Sequence, residues 1–88
     1  MPAEGAALVT GGARRIGAHL VQTLAAHGHA VAIHYRDSAA EAEALADRIE
    51  ASGGRAAPVR ADLADPEQLE ALIGVAEAAL GPIGVLVN

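Results

Sequence analysis

"ALVTGGARRIG", Ala7 to Gly17, passes from an apolar run through two adjacent glycines into a segment with helical spacing, and it sets the architecture of everything after it. Ala6 to Thr10 is short and apolar, the pattern of a strand buried on both faces. A helix is expected from near Arg14, because Ile16, Leu20, Val21 and Leu24 recur at helical spacing and Gly28 after His27 supplies a left-handed stop. Ala30 to Tyr35, "AVAIHY", reads as a second strand. Ser38 with Glu41 three residues on forms a capping-box pattern, after which Ala42, Leu45, Ala46 and Ile49 mark one buried helix face that ends at Gly53 and Gly54. Arg55 to Ala61, "RAAPVRA", reads as a third strand, and Pro58, which has no N–H, confines it to a sheet edge. Asp65 as N-cap and Pro66 as first helical residue open a third helix. Leu69, Leu72, Ile73, Ala76 and Leu80 form its inward stripe, Gly81-Pro82 stops it, and Ile83 to Val87 is the fourth strand.

The order β-α-β-α-β-α-β is the mark of a parallel α/β sheet. Right-handed crossovers put the first two helices on one face, and a fourth strand returning beside the first puts the third helix on the other. The strand order is then 3-2-1-4, the first half of a Rossmann-type doubly wound sheet. The chain has 88 residues, too few for more than one domain, and residues 1–88 read as the N-terminal part of a single dinucleotide-binding domain.

Composition narrows the function classes. A formal charge of -5 argues against a nucleic-acid partner, which needs clustered positive charge. The absence of cysteine excludes disulfides, thiolate metal sites and a cysteine nucleophile. No basic region followed by an apolar run opens the chain, and no apolar segment approaches the roughly 20 residues that span a bilayer, so a soluble cytoplasmic protein is expected without a membrane partner. His27 and His29 lack a third ligand in register, and His27 suits a helix C-terminus, so no metal site is expected. His19 is assigned to a helix surface and His34 to the packed interior of the second strand. Glu41, Glu43, Asp47 and Glu50 read as a solvated helix face.

Ligands of such a sheet bind beyond the carboxyl ends of the strands, where the winding reverses beside the first strand. The glycine turn falls there. Gly11, Gly12 and Gly17 allow backbone to approach a pyrophosphate, whose charge the following helix N-terminus favours. An ordinary strand-to-helix turn that binds nothing is the plainer alternative. An NTPase phosphate loop is excluded, because Ala18 and His19 stand where Lys and Ser or Thr are required. Charge also bears on cofactor choice: an acidic residue ending the second strand selects a ribose hydroxyl, whereas arginine there selects a 2′-phosphate. The chain has Tyr35-Arg36-Asp37-Ser38, so Arg36, joined by Arg14 from the glycine turn, is expected to clamp the phosphate of NADP(H). Asp37 facing the ribose would favour NAD(H) instead, and Ser38 caps the helix with or without a phosphate contact.

"TGGARRIG", Thr10 to Gly17, resembles the TGxxxGxG turn of the short-chain dehydrogenase/reductase family, with Arg15 where the middle glycine is usual. The TGxxxRxG form is similar to that of the family's pteridine-reductase-like branch. "HYRDSAAEAEAL", "ADL" at Ala61 to Leu63 and the terminal "VLVN" continue the resemblance in order and spacing over essentially the whole chain. It implies that Gly11 and Gly17 line the pyrophosphate turn, that Arg15 and Ile16 contact the cofactor, and that Arg14 occupies a basic position of NADP-preferring members. It further implies that Asp62 binds the adenine amino group beside the Leu63 backbone, and that Asn88 lies near the adenosine ribose.

The family transfers hydride between nicotinamide and a carbonyl or imine, with a Tyr and a Lys four positions later as its signature. Here all six basic residues are arginine and Ala39 stands four after Tyr35, so no catalytic residue is assigned. The resemblance therefore implies the N-terminal part of a homo-oligomeric reductase, dimer or tetramer, of about 250 residues, acting on a small-molecule substrate. Pteridine-like and 3-oxoacyl-thioester substrates both fit, and a noncatalytic nucleotide-binding module is the alternative from another class.

Overall fold

The computed structural model describes residues 5–12 and 15–87. Its elements are β1 (Ala6–Val9), α1 (Arg15–Ala26), β2 (Val31–Tyr35), α2 (Ala39–Ala51), β3 (Ala56–Arg60), α3 (Pro66–Leu80) and β4 (Ile83–Val87). The strands form one parallel sheet in the order β3-β2-β1-β4, as the alternating pattern predicts. Pro58 sits on edge strand β3 opposite Ile33, where its missing N–H costs no ladder bond on the open side.

Both faces of the central strands are covered, which explains why β1 and most of β2 are uniformly apolar. On one face Val9 and Ile33 pack with Val21 of α1 and with Ala42, Leu45 and Ile49 of α2. On the other, Leu8 and Ala32 pack with Leu72 and Ala76 of α3. Removing Leu8, Ile33, Leu45 and Leu72 from water stabilises the fold by about 1.5–3 kcal/mol each. The small alanines between them let helix and sheet approach closely.

Helix ends are set by short side chains and glycine. The Asp65 carboxylate accepts from the Glu67 N–H at 3.0 Å, and Pro66 follows at the first helical position. Asp65→Ala is expected to lower the stability of the full-length protein by about 1 kcal/mol, measured by urea unfolding.

Several expectations need correction. The Ser38–Glu41 capping box does not form, because Ser38 sits at φ -95°, ψ 51° and its side chain makes no cap hydrogen bond. Leu69, expected on the inward stripe of α3, is 39% exposed; Ile16 at 77% and Leu20 at 36% are exposed too, although only their spacing is used to place α1. These three share the apolar periodicity of their helices but lie where the sheet does not reach. α1 begins at Arg15, and Arg14 and Asn88 lie outside the described residues. Among the described residues no helix is long and apolar enough to cross a membrane.

Candidate functional site

Because all four strands are parallel, Thr10–Gly12 after β1, Arg36–Ser38 after β2, Ala61–Leu63 after β3 and Val87 of β4 gather at one end of the sheet. The turn after β1 is fixed from both sides. Thr10 donates its N–H to the Val87 carbonyl at 2.9 Å and its hydroxyl to the same oxygen at 3.2 Å. Gly12 donates to the His34 carbonyl at 3.1 Å, and Gly11 donates to His34 Nδ1 at 2.9 Å.

Gly11 is exposed with φ 64°, a left-handed backbone that glycine adopts without strain. Gly17 is needed for a different reason: a Cβ there would overlap the Gly11 carbonyl oxygen, so turn and helix are in backbone contact. The first N–H groups of α1 have no partners within the helix, and the helix dipole adds partial positive charge beside this turn. Arg15 has φ 49°, which explains why the pattern it resembles carries glycine at that place. An arginine there holds a left-handed backbone at a cost of about 1–2 kcal/mol. Its side chain and that of Ile16 are exposed at the helix start.

Tyr35, half-buried, ends β2, and Arg36 follows it into solvent. The Arg36 guanidinium lies 3.9 Å from Asp37 Oδ2 and 3.9 Å from Asp62 Oδ2, with 64% of its side chain exposed. Pairs so long and so exposed hold it only weakly. Ser38 is half-buried, with its hydroxyl outside any cap. Asp62 is anchored at both ends: its N–H donates to Gln68 Oε1 at 2.7 Å and its Oδ1 accepts from the Ala64 N–H at 3.0 Å. Leu63, half-buried, packs on the α3 side of the core. Among the described residues, Gly11, Arg15, Ile16, Gly17, Tyr35, Arg36, Ser38, Asp62 and Leu63 thus share one end of the sheet.

Sequence reasoning passed over two residues. Gln68 was legible only as part of a helix start, yet it fixes the Asp62 backbone. Packing alone does not describe His34, whose ring nitrogen accepts from the glycine turn. Its signal was a polar residue in the apolar strand Val31–Tyr35, where burial demands partners.

The arrangement can hold one anionic group against the α1 N-terminus and a second against Arg36, with a carboxylate at Asp62 to accept from a donor between them. A groove lined by Gln22, His29, Arg48, Arg55 and Leu80 lies at the opposite end of the sheet. Helix C-termini point there, and Arg55 Nη2 donates to the Ala79 carbonyl at 3.3 Å, which suits helix ends better than an anionic ligand. His27 Nδ1 and His29 Nδ1 each contact a backbone carbonyl, of Thr23 at 2.8 Å and Gly5 at 3.0 Å.

Comparison with known proteins gives a consistent result. The family profile described as short chain dehydrogenase matches residues 5–88. An uncharacterized oxidoreductase of Methylorubrum extorquens is 40% identical over 82 residues, covering 93% of this chain and 33% of that protein. The 3-oxoacyl-[acyl-carrier-protein] reductase FabG of Staphylococcus aureus is 38% identical over 82 residues, with the same coverage of 93% and 33%. The crystal structure of FolM alternative dihydrofolate reductase 1 from Brucella suis in complex with NADP superposes with a TM-score of 0.89 at 49% identity, over 98% of this chain and 34% of that one. The chain thus spans about a third of the length of the curated relatives it matches.

Proposed function

The chain belongs to the short chain dehydrogenase family, and from that premise we propose that it is the NADP(H)-binding portion of a longer, cytoplasmic, homo-oligomeric reductase. Its substrate is a small carbonyl compound or a pteridine-like C=N compound. The observation that carries the cofactor assignment is Arg36, an exposed guanidinium at the end of β2 on the same end of the sheet as the glycine turn. A 2′-phosphate placed there gains charge-assisted hydrogen bonds that a ribose hydroxyl cannot supply.

The residues present fit that cofactor. Gly11, Gly17 and the α1 N-terminus receive the pyrophosphate, and Arg15 and Ile16 line its approach. Arg36, with Arg14, Tyr35 and Ser38, receives the 2′-phosphate. Asp62 accepts from the adenine amino group beside Leu63, and Asn88 is assigned a role toward the adenosine ribose. Bound NADPH supplies the hydride. These residues bind and orient it, and the proton donor and substrate pocket belong to chain beyond them. Leu86 of edge strand β4, 49% exposed, supports this reading, since apolar surface of that kind is covered in a complete doubly wound domain.

Likeness to FolM at 49% identity favours a dihydropteridine substrate. Likeness to FabG at 38% supports a 3-oxoacyl thioester as the second reading. The test is NADPH oxidation by the full-length protein with a dihydropteridine and, separately, with a 3-oxoacyl thioester. Turnover of either that is lost when its downstream Tyr or Lys is replaced supports the reductase. NADPH binding without such a residue pair would leave a nucleotide-binding module in its place.

A further inference from the structure

We infer that His34 is a positioning residue for cofactor binding, tying the glycine turn to the end of β3 so that the pyrophosphate and adenine contacts are presented together. The inference rests on the NADP(H) reading above. His34 is 6% exposed, yet both its ring nitrogens are engaged. The Gly11 N–H can only donate, so Nδ1, 2.9 Å away, must be an unprotonated acceptor. The proton then resides on Nε2, which donates to the Ala61 carbonyl at 2.8 Å. One tautomer satisfies both sides.

The strands so linked are not neighbours. β2 lies between β1 and β3, and no ladder joins the outer two. Backbone bonds from Gly12 to the His34 carbonyl and from Ala61 to the Tyr35 carbonyl, each 3.1 Å, continue each pairing past the strand ends. The imidazole adds a second link on either side, directly at the residues that matter. Gly11 carries the carbonyl against which Gly17 packs, so its position sets the start of α1. Ala61 immediately precedes Asp62. An apolar side chain would fill the same volume and leave the Gly11 N–H and the Ala61 carbonyl to find other partners, so bulk alone does not account for an imidazole here.

The test compares wild type, His34→Phe and His34→Asn in the full-length protein, by titration with NADPH and NADH and by steady-state kinetics. His34→Phe is expected to weaken both cofactors alike by about tenfold, within the range set by the two hydrogen bonds lost, with kcat at saturation within about twofold. The loss is parallel because the turn and the adenine segment serve both cofactors, whereas the 2′-phosphate site serves one. His34→Asn places Oδ1 where Nδ1 stood but stops short of the Ala61 carbonyl, so it restores the link to Gly11 alone and recovers part of the affinity. Binding by His34→Phe at the wild-type level, or a loss confined to kcat, overturns the inference, as does an asparagine variant as weak as the phenylalanine one. The imidazole nitrogen shifts of the wild type check the tautomer independently of whether a variant folds, and an Nδ1–H form overturns the inference outright. A wild type with the expected tautomer and no affinity for either cofactor overturns the functional reading instead.

Discussion

Replacing Arg36 with alanine in the full-length protein lowers NADPH affinity by about 10- to 100-fold, the worth of about 1.5–3 kcal/mol for hydrogen bonds to a charged group, and leaves NADH affinity within about threefold. The size of the effect follows from how loosely the guanidinium is held. Its contacts with Asp37 and Asp62 are both 3.9 Å long, and the side chain is 64% exposed, so a phosphate dianion displaces weak, solvated partners. Charge reversal in Arg36→Glu goes further and inverts the preference, because a carboxylate accepts from the ribose hydroxyl and repels the phosphate. Since the site is open to solvent, the NADPH preference of the wild type shrinks as ionic strength rises. Parallel titrations with both cofactors at two salt concentrations read all of this. An Arg36→Ala protein with unchanged NADPH affinity would assign the ribose to Asp37 instead.

The parts of the fold legible in the sequence are those where one residue has a single structural meaning. Pro58 could sit only on an edge, and the apolar runs of β1 and of Val31–Ile33 in β2 could lie only between two helical layers. Asp65-Pro66 could only begin a helix. Where a pattern admits more than one environment, the sequence was silent. Ile16, Leu20 and Leu69 keep the period of their helices, but period records which face a residue lies on and not how far along that face the sheet extends. Ser38 and Glu41 have capping-box spacing, yet spacing does not fix the backbone angles at Ser38, and those angles keep its hydroxyl out of the cap. The site shows the same division. Arg36 was legible because a charge directly after a strand bears on ligand charge. His34 was not, because its partners are Gly11 and Ala61, 23 and 27 residues away in the chain. Arg15 marked a departure from the glycine pattern, but only the structure shows the left-handed angle that makes it a strained one.

Gly17→Ala tests the close approach on which the whole site depends. Within a helix this substitution ordinarily stabilises by about 0.8–1 kcal/mol, because alanine loses less backbone entropy. Here the new Cβ would overlap the Gly11 carbonyl oxygen and lie 3.0 Å from Gly12 Cα and 3.1 Å from the Gly11 carbonyl carbon. All three are backbone atoms, so no flexible side chain can yield, and turn and helix must separate. Overpacking of this kind costs about 1–3 kcal/mol, which outweighs the gain in helix propensity and gives a net loss of up to about 2 kcal/mol. The effect on binding is larger. A turn displaced by about an ångström no longer presents its backbone to the pyrophosphate, and NADPH affinity falls by about 100-fold. Gly11→Ala separates the steric cause from the conformational one: its Cβ meets nothing within 4 Å, so its cost is only the left-handed φ of 64°, about 1–2 kcal/mol. Urea unfolding and NADPH titration of both variants resolve the two. Comparable stability losses with a much greater loss of affinity in Gly17→Ala mean that the pyrophosphate is held at the Gly11–Gly17 contact. Equal losses of affinity would place it against the turn alone, with α1 contributing its dipole but no close backbone approach.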